Sequence, residues 1–172
     1  HIPTFARVNP TKMRWDWSTA GKKKDGKPYV EKGPLEKPSY DSKKGDFVWE
    51  KNVVPQYFWF NGSIQGLTAK DTVDPSKPVR VNWAVGARDD ANSRIFPFKV
   101  HTGKQPYDKV NKTLLIPHLF GPKESGAYWG NYDWKTALEK GMEYAGLKFS
   151  GEFDFVETSY IFPTTHMVAP KE

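Results

Sequence analysis

The sequence predicts an α+β, loop-rich fold with few helices and strands, all short. Three observations lead there. First, 14 Gly and 14 Pro punctuate the 172 residues, which works against long uninterrupted helices or strands. Second, only 37% of the residues are hydrophobic while Phe, Trp and Tyr make up 15%, so the apolar surface is concentrated in rings. Third, one well-capped helical stretch and several short β-branched or aromatic runs lie along the chain, with no internal repeat and no domain boundary. The whole of 1–172 reads as a single segment long enough to bury a core. Its loops call for something besides that core to order them, a bound cofactor or a neighbouring domain.

Along the chain, Asn9-Pro10 predicts a helix start, with Asn as cap and Pro at the first helical position. Met13 and Trp17 then share a face and Gly21 is the stop. Residues 21–45 predict a solvated Lys/Pro/Gly-rich loop. Within 21–44, eight lysines face Asp25, Glu31, Glu36 and Asp41, which supplies +4 of the net charge of +6. The basic balance therefore belongs to a loop and not to a nucleic-acid-binding stripe. Residues 46–60, DFVWEKNVVPQYFWF, predict two short extended pieces divided at Pro55. Residues 79–85 and 94–100 flank GARDDANS and predict a hairpin with an irregular loop, Pro97 keeping its second arm at an edge. The clearest helix spans 134–145, capped by Asp133 and stopped near Gly146, with Trp134, Ala137, Leu138, Met142 and Ala145 on one face. After it, EFDFVETSYIF is extended and leads into PTTHMVAPKE.

Several chemistries find no support. No apolar run approaches the length of a membrane span. The absence of cysteine removes disulfides, thiolate metal sites and redox CxxC pairs. There is no P-loop, no GxGxxG, no GxSxG elbow, and no pair of histidines at HxxxH spacing. Acid and base carboxylate pairs are defined in space, and the 20 acidic residues carry no signal for one. The sequons at Asn61 and Asn111 read as chance matches. What stands out is the setting of the four histidines: HIP, KVHTG, IPHLFG and PTTHMVAP, each beside proline or glycine. A lone imidazole with rigid flanks suits a ligand offered to a metal that something else holds, because a ligating ring needs a locked orientation.

Whole strings carry the reading further. HIPTFARVNPTKMRWDWSTAG resembles the stretch that begins on the histidine of a CxxCH haem-attachment motif in the octahaem tetrathionate reductase family of multihaem c-type cytochromes. YIFPTTHMVAPKE resembles the stretch that carries a distal histidine ahead of another CxxCH motif, and PQYFWFNG, FPFKVHTGKQPYD and KTLLIPHLFG also resemble family sequence. The resemblance spans most of the chain and is weakest over 21–44. The departure is the lack of cysteine. The resemblance therefore implies a cysteine-free piece of a larger cytochrome, ordered around several haem c groups attached through cysteines elsewhere.

By position, His1 matches a proximal ligand and His166 a distal one, with His118 and His101 as further candidate ligands. A distal lysine marks the catalytic haem of this family, and it matches no position here; Lys104 reads as a surface lysine. Haem propionates call for cationic partners, for which Arg7, Arg14, Arg88 and Arg94 suit best. The resemblance implies a periplasmic oxidoreductase acting on tetrathionate, nitrite or hydroxylamine, partnered by the CxxCH-bearing remainder of the chain and an electron-donor redox protein. Two alternatives stand beside it: a multihaem electron carrier without substrate chemistry, and a haem-free extracellular module whose exposed rings bind sugars.

Overall fold

A computed structural model describes residues 3–164. It is α+β and loop-rich, as the composition implies, with twelve strands and two α-helices among the described residues. The strands are β1 (Thr11–Asp16), β2 (Lys23–Lys24), β3 (Lys27–Pro28), β4 (Val30–Lys32), β5 (Pro38–Asp41), β6 (Gly45–Glu50), β7 (Gln56–Phe60), β8 (Ile64–Gly66), β9 (Val79–Arg80), β10 (Asn82–Ala84), β11 (Arg94–Asp108) and β12 (Phe153–Pro163). The helices are α1 (Tyr128–Asn131) and α2 (Trp134–Tyr144). Eight strands form one mixed sheet in the order β4-β5-β6-β1-β11-β12-β9, with β7 also paired to β11.

β11 organises the molecule. Its outer edge is shared by β7, antiparallel over 94–98, and β1, parallel over 102–104, while β12 runs antiparallel along the opposite edge. Two prolines are tolerated in this central strand because neither is asked to donate. Pro97 lies where the β12 ladder has just ended, and its carbonyl accepts from Thr164 N–H at 3.0 Å. The Pro106 carbonyl accepts from Leu115 N–H at 3.0 Å, so Pro106 turns its polar edge away from β12.

Four sequence expectations need correction. The stretch after Asn9-Pro10 is not a helix: residues 11–16 are β1, and only Trp17–Thr19 closes a 3-10 turn, capped by Asp16 through the Ser18 N–H at 2.9 Å. Pairing on both edges outweighs a capping signal worth about 1 kcal/mol. The Lys/Pro/Gly stretch carries the β2–β3 ribbon and the β4–β5 pair, with most of its lysines exposed. Residues 79–85 and 94–100 do not pair: β9 joins β12, β10 joins β8, and Pro97 sits in a central strand. On α2, Ala145 is exposed and Gly141 is buried in its place.

The two extended pieces split by Pro55 are β6 and β7, and EFDFVETSYIF forms β12. The 134–145 helix is α2, its Asp133 cap accepting from the N–H groups of Lys135 and Thr136. Asp133→Ala should cost about 1 kcal/mol of local stability, read as faster amide exchange across the first turn of α2. Leu138 and Met142 of this helix pack with Leu115, while Phe5, Ala6 and Val53 form a second core cluster and Val79, Tyr107 and Val156 a third.

Candidate functional site

Strand alternation divides the residues of β11 between two faces. Phe96 and Phe98 pack with Phe58 and Phe60 on one face, with ring centroids 5.2 to 5.7 Å apart. His101 lies on the other, stacked on Tyr160 of β12 at 4.6 Å and only 4% exposed. Its Nδ1 lies 3.1 Å from the Lys12 carbonyl. A carbonyl only accepts, so the proton is on Nδ1 and Nε2 carries the free lone pair. That Nε2 is buried without a hydrogen-bond partner. Burial first, and the nearby Lys99 charge second, push the His101 pKa down to about 4, so the ring is neutral at physiological pH.

Two lysines flank this histidine. Lys12 holds its ammonium 4.0 Å over Trp15, 4.2 Å over Phe47 and 5.2 Å over Trp49. Burial, then the charges of Lys44 and Lys99, lower its pKa to about 8. Lys99 Nζ donates to Thr11 Oγ1 at 2.7 Å, and burial lowers its pKa as well. The penalised form of Lys12 is the protonated one. Its penalty is fully present below about pH 8 and gone above the free-lysine value of 10.5. Stability should rise across that window, and Lys12→Met should flatten the rise in denaturation midpoints measured against pH.

His118 belongs to a different part of the fold. Its backbone N–H donates to the Ala137 carbonyl of α2 at 2.8 Å and its own carbonyl accepts from Tyr128 N–H at 2.9 Å, so the residue is pinned between α1 and α2. The half-buried ring has Nε2 3.3 Å from Ser125 Oγ and packs against exposed Tyr144, centroids 5.2 Å apart. Gly141 permits this docking: a Cβ there would run into the Ile116 carbonyl and approach His118 N to 2.7 Å. His1 and His166 lie outside the described residues.

The guanidinium groups of Arg7, Arg14 and Arg94 are engaged within the chain. Arg14 is bidentate on Glu157, both bonds 2.8 Å, and 3.6 Å from Asp16. It holds the Glu157 carboxyl below the usual range and stands raised itself. Arg94 donates to the carbonyls of Ala91 and Ser93, and Arg7 Nε donates to Thr4 Oγ1 at 3.1 Å. Arg88 is exposed, and Lys104 faces Glu157 across the β11–β12 ladder.

Donor chemistry at His101 fits an axial imidazole, while at His118 the Nε2 faces Ser125 Oγ. His101 has one nitrogen tied to a carbonyl and the other unmet, the arrangement a metal-bound imidazole uses. Its Nε2 is closed from solvent, so iron reaches it only if surrounding side chains give way, whereas His118 presents a half-buried ring at the helix edge. Among the described residues no group of three or more His, Cys, Asp or Glu could hold a metal ion, so any metal here depends on other ligands. No described helix is long and apolar enough to cross a membrane.

Sequence reasoning missed Lys12 and its rings. Phe47 and Trp49 alternate on one strand face, but Lys12 joins them only if its own segment is a strand, which the Asn-Pro capping signal obscured.

A protein family described as "Cytochrome c bacterial" matches residues 12–172. No curated protein matches the chain. Among solved structures, it is similar to an octahaem cytochrome c from Shewanella oneidensis, with 44% identity and a TM-score of 0.87. The likeness covers 99% of this chain and 39% of that one, so the chain spans well under half the length of the structure it matches.

Proposed function

The chain belongs to the bacterial cytochrome c family, and on that premise we propose that it is a segment of a periplasmic multihaem c-type cytochrome oxidoreductase. The parent protein reduces tetrathionate, or nitrite and hydroxylamine, and this segment supplies axial histidines and haem-packing surface. The observation that carries this reading is the likeness, over almost the whole chain, to an octahaem cytochrome c.

Haem iron, when bound, supplies the one-electron chemistry. The chain's own residues position it. His118 offers an imidazole whose backbone is clamped on both sides by hydrogen bonds. His101 offers a neutral ring of fixed tautomer. His1 and His166 take ligand roles by their place in the motifs. Arg7, Arg14 and Arg94 serve the propionates by sharing or exchanging their present acceptors. Lys12 and Lys99 set a positive potential beside His101, which favours anionic groups and anionic substrates. The remainder of the cytochrome chain, with its CxxCH motifs, and an electron-donor redox protein complete the system. A second reading, an electron carrier without substrate chemistry, accords equally with the likeness.

The intact parent protein separates these readings. Reduction should produce c-type absorption bands, and adding tetrathionate, nitrite or hydroxylamine should reoxidise them. Absent bands overturn the haem reading. Bands that persist with every substrate leave the electron carrier. His118→Met should shift the midpoint potential of one haem while the remaining bands stay in place, and an unchanged titration removes His118 from the ligand set.

A further inference from the structure

The aromatic clusters that lie apart in the sequence meet in the fold. Trp15 stacks on Trp17 with centroids 4.4 Å apart at 24°, Trp17 meets Trp134 edge-on at 5.9 Å, and Trp134 stacks on Tyr128 at 4.0 Å and 25°. These four rings come from β1, the turn after it, α2 and α1, and they run in unbroken contact from a fully buried tyrosine through three half-buried tryptophans. Packing alone would satisfy the hydrophobic effect. It does not call for two polar groups to be left unmet inside the stack, yet Trp134 Nε1 and the Tyr128 hydroxyl are both buried without a hydrogen-bond partner.

Those unmet groups matter for one-electron chemistry. A tyrosine gives up an electron easily only if its proton leaves with it. Tyr128 has no acceptor in reach, and burial has already raised its pKa. It therefore insulates one end and does not trap a radical. An indole gives up an electron without losing its proton, and Trp134 has nowhere to send that proton. An oxidising equivalent on Trp134 stays a mobile radical cation. At the other end the Trp15 N–H donates to the Lys44 carbonyl at 2.7 Å, which eases removal of an electron, while the Lys12 ammonium above the ring opposes it.

We propose that Trp134, Trp17 and Trp15 form a relay that carries one-electron oxidising equivalents from the helical side of the fold to its sheet face. A strong one-electron oxidant, such as a metal centre oxidised by peroxide, takes an electron from Trp134 and is itself reduced. Trp17 refills Trp134, Trp15 refills Trp17, and a reductant of the thiol or ascorbate class refills Trp15. The net change is one electron passed from reductant to oxidant; within the relay no bond breaks and no proton moves. The relay rests on ring geometry and does not require the haem reading.

The test places the oxidant at a known end. In the intact parent protein, a ruthenium polypyridyl complex is attached through Lys135→Cys, an exposed position beside Trp134, and oxidised by flash-quench. Oxygenated indoles are then mapped by peptide mass spectrometry. Oxygenation is expected to reach Trp15. Trp17→Phe, which keeps an aromatic ring that is hard to oxidise, should drop the Trp15 product to background while the Trp134 product rises. Trp17→Tyr, which restores an oxidisable ring, should recover part of the Trp15 signal. Trp15 oxygenation that is absent in the parent, or unchanged by Trp17→Phe, overturns the proposal. Near-UV circular dichroism confirms that each variant is folded, and Trp15→Phe, which should leave the product on Trp17, gives an independent reading if Trp17 variants fail that check.

Discussion

Gly141→Ala should destabilise the α2 region by about 2 kcal/mol, although alanine is intrinsically the better helix former by about 1 kcal/mol. The reason is contact and not propensity. Gly141 is buried in α2 with the Ile116 carbonyl lying where a Cβ would stand, and with His118 N close behind. Added volume must push the 114–118 segment off the helix. That breaks the His118 N–H bond to Ala137 and the 3.4 Å contact of Ile116 N–H with Met142 Sδ. Amide exchange in the variant should accelerate at Ile116 and His118, with less change on β12. A variant whose α2 is as protected as wild type, or more so, would show that the helix does not seat His118 in this way.

Asp108→Ala should cost roughly 3 kcal/mol or more, because it removes five hydrogen bonds to one charged, fully buried acceptor. The Asp108 side chain, on a residue with no exposed surface, accepts from the N–H groups of Val110, Asn111 and Ser150 and from the side chains of Asn111 and Ser150, at 2.7 to 2.9 Å. It thus ties the end of β11 to the chain entering β12. Burial alone would raise its pKa, but the hydrogen bonds from Asn111, Ser150 and Val110 outweigh that and hold it below the usual carboxylate range. With a depressed folded-state pKa, the stabilisation is present above the unfolded-state value and is lost as pH falls through the folded-state one. The parent should therefore lose exchange protection at Val110, Asn111 and Ser150 on acidification, while Asp108→Ala shows little protection there at any pH. Asp108→Asn, which keeps one acceptor oxygen, should fall between them.

How far the sequence discloses all this depends on whether a signal is local. Asp133 and Gly146 bracket α2 because a cap and a stop act within a turn of their own residue. Pro55 divides β6 from β7 for the same reason. Asn9-Pro10 misleads because β1 exists only through partners that are distant in sequence, Asp46 to Glu50 on one side and Thr102 to Lys104 on the other. The 94–100 arm is likewise read as an edge because its proline is visible in the sequence, whereas the acceptor role that makes Pro97 harmless depends on Thr164, far along the chain.

The candidate site divides along the same line. His101 and His118 stand out by their proline and glycine neighbours, and the structure gives both a fixed ring environment. What the sequence does not show is that His101 is a buried strand residue rather than a loop one, since KVHTG reads alike in either setting. The bidentate attachment of Arg14 to Glu157 spans most of the chain and has no local signature. The joining of Trp15 and Trp17 with Trp134 and Tyr128 is also a product of topology: two aromatic segments far apart in sequence become one stack when α2 docks beside the turn after β1.

The most direct measurement is the anomalous signal at the iron absorption edge in crystals of the intact parent protein. An iron peak at bonding distance from an imidazole nitrogen of His118, with further peaks beside His1 and His166, is the expected result. Iron absent from the neighbourhood of His1, His101, His118 and His166 alike would contradict the assignment of this segment as a supplier of haem ligands.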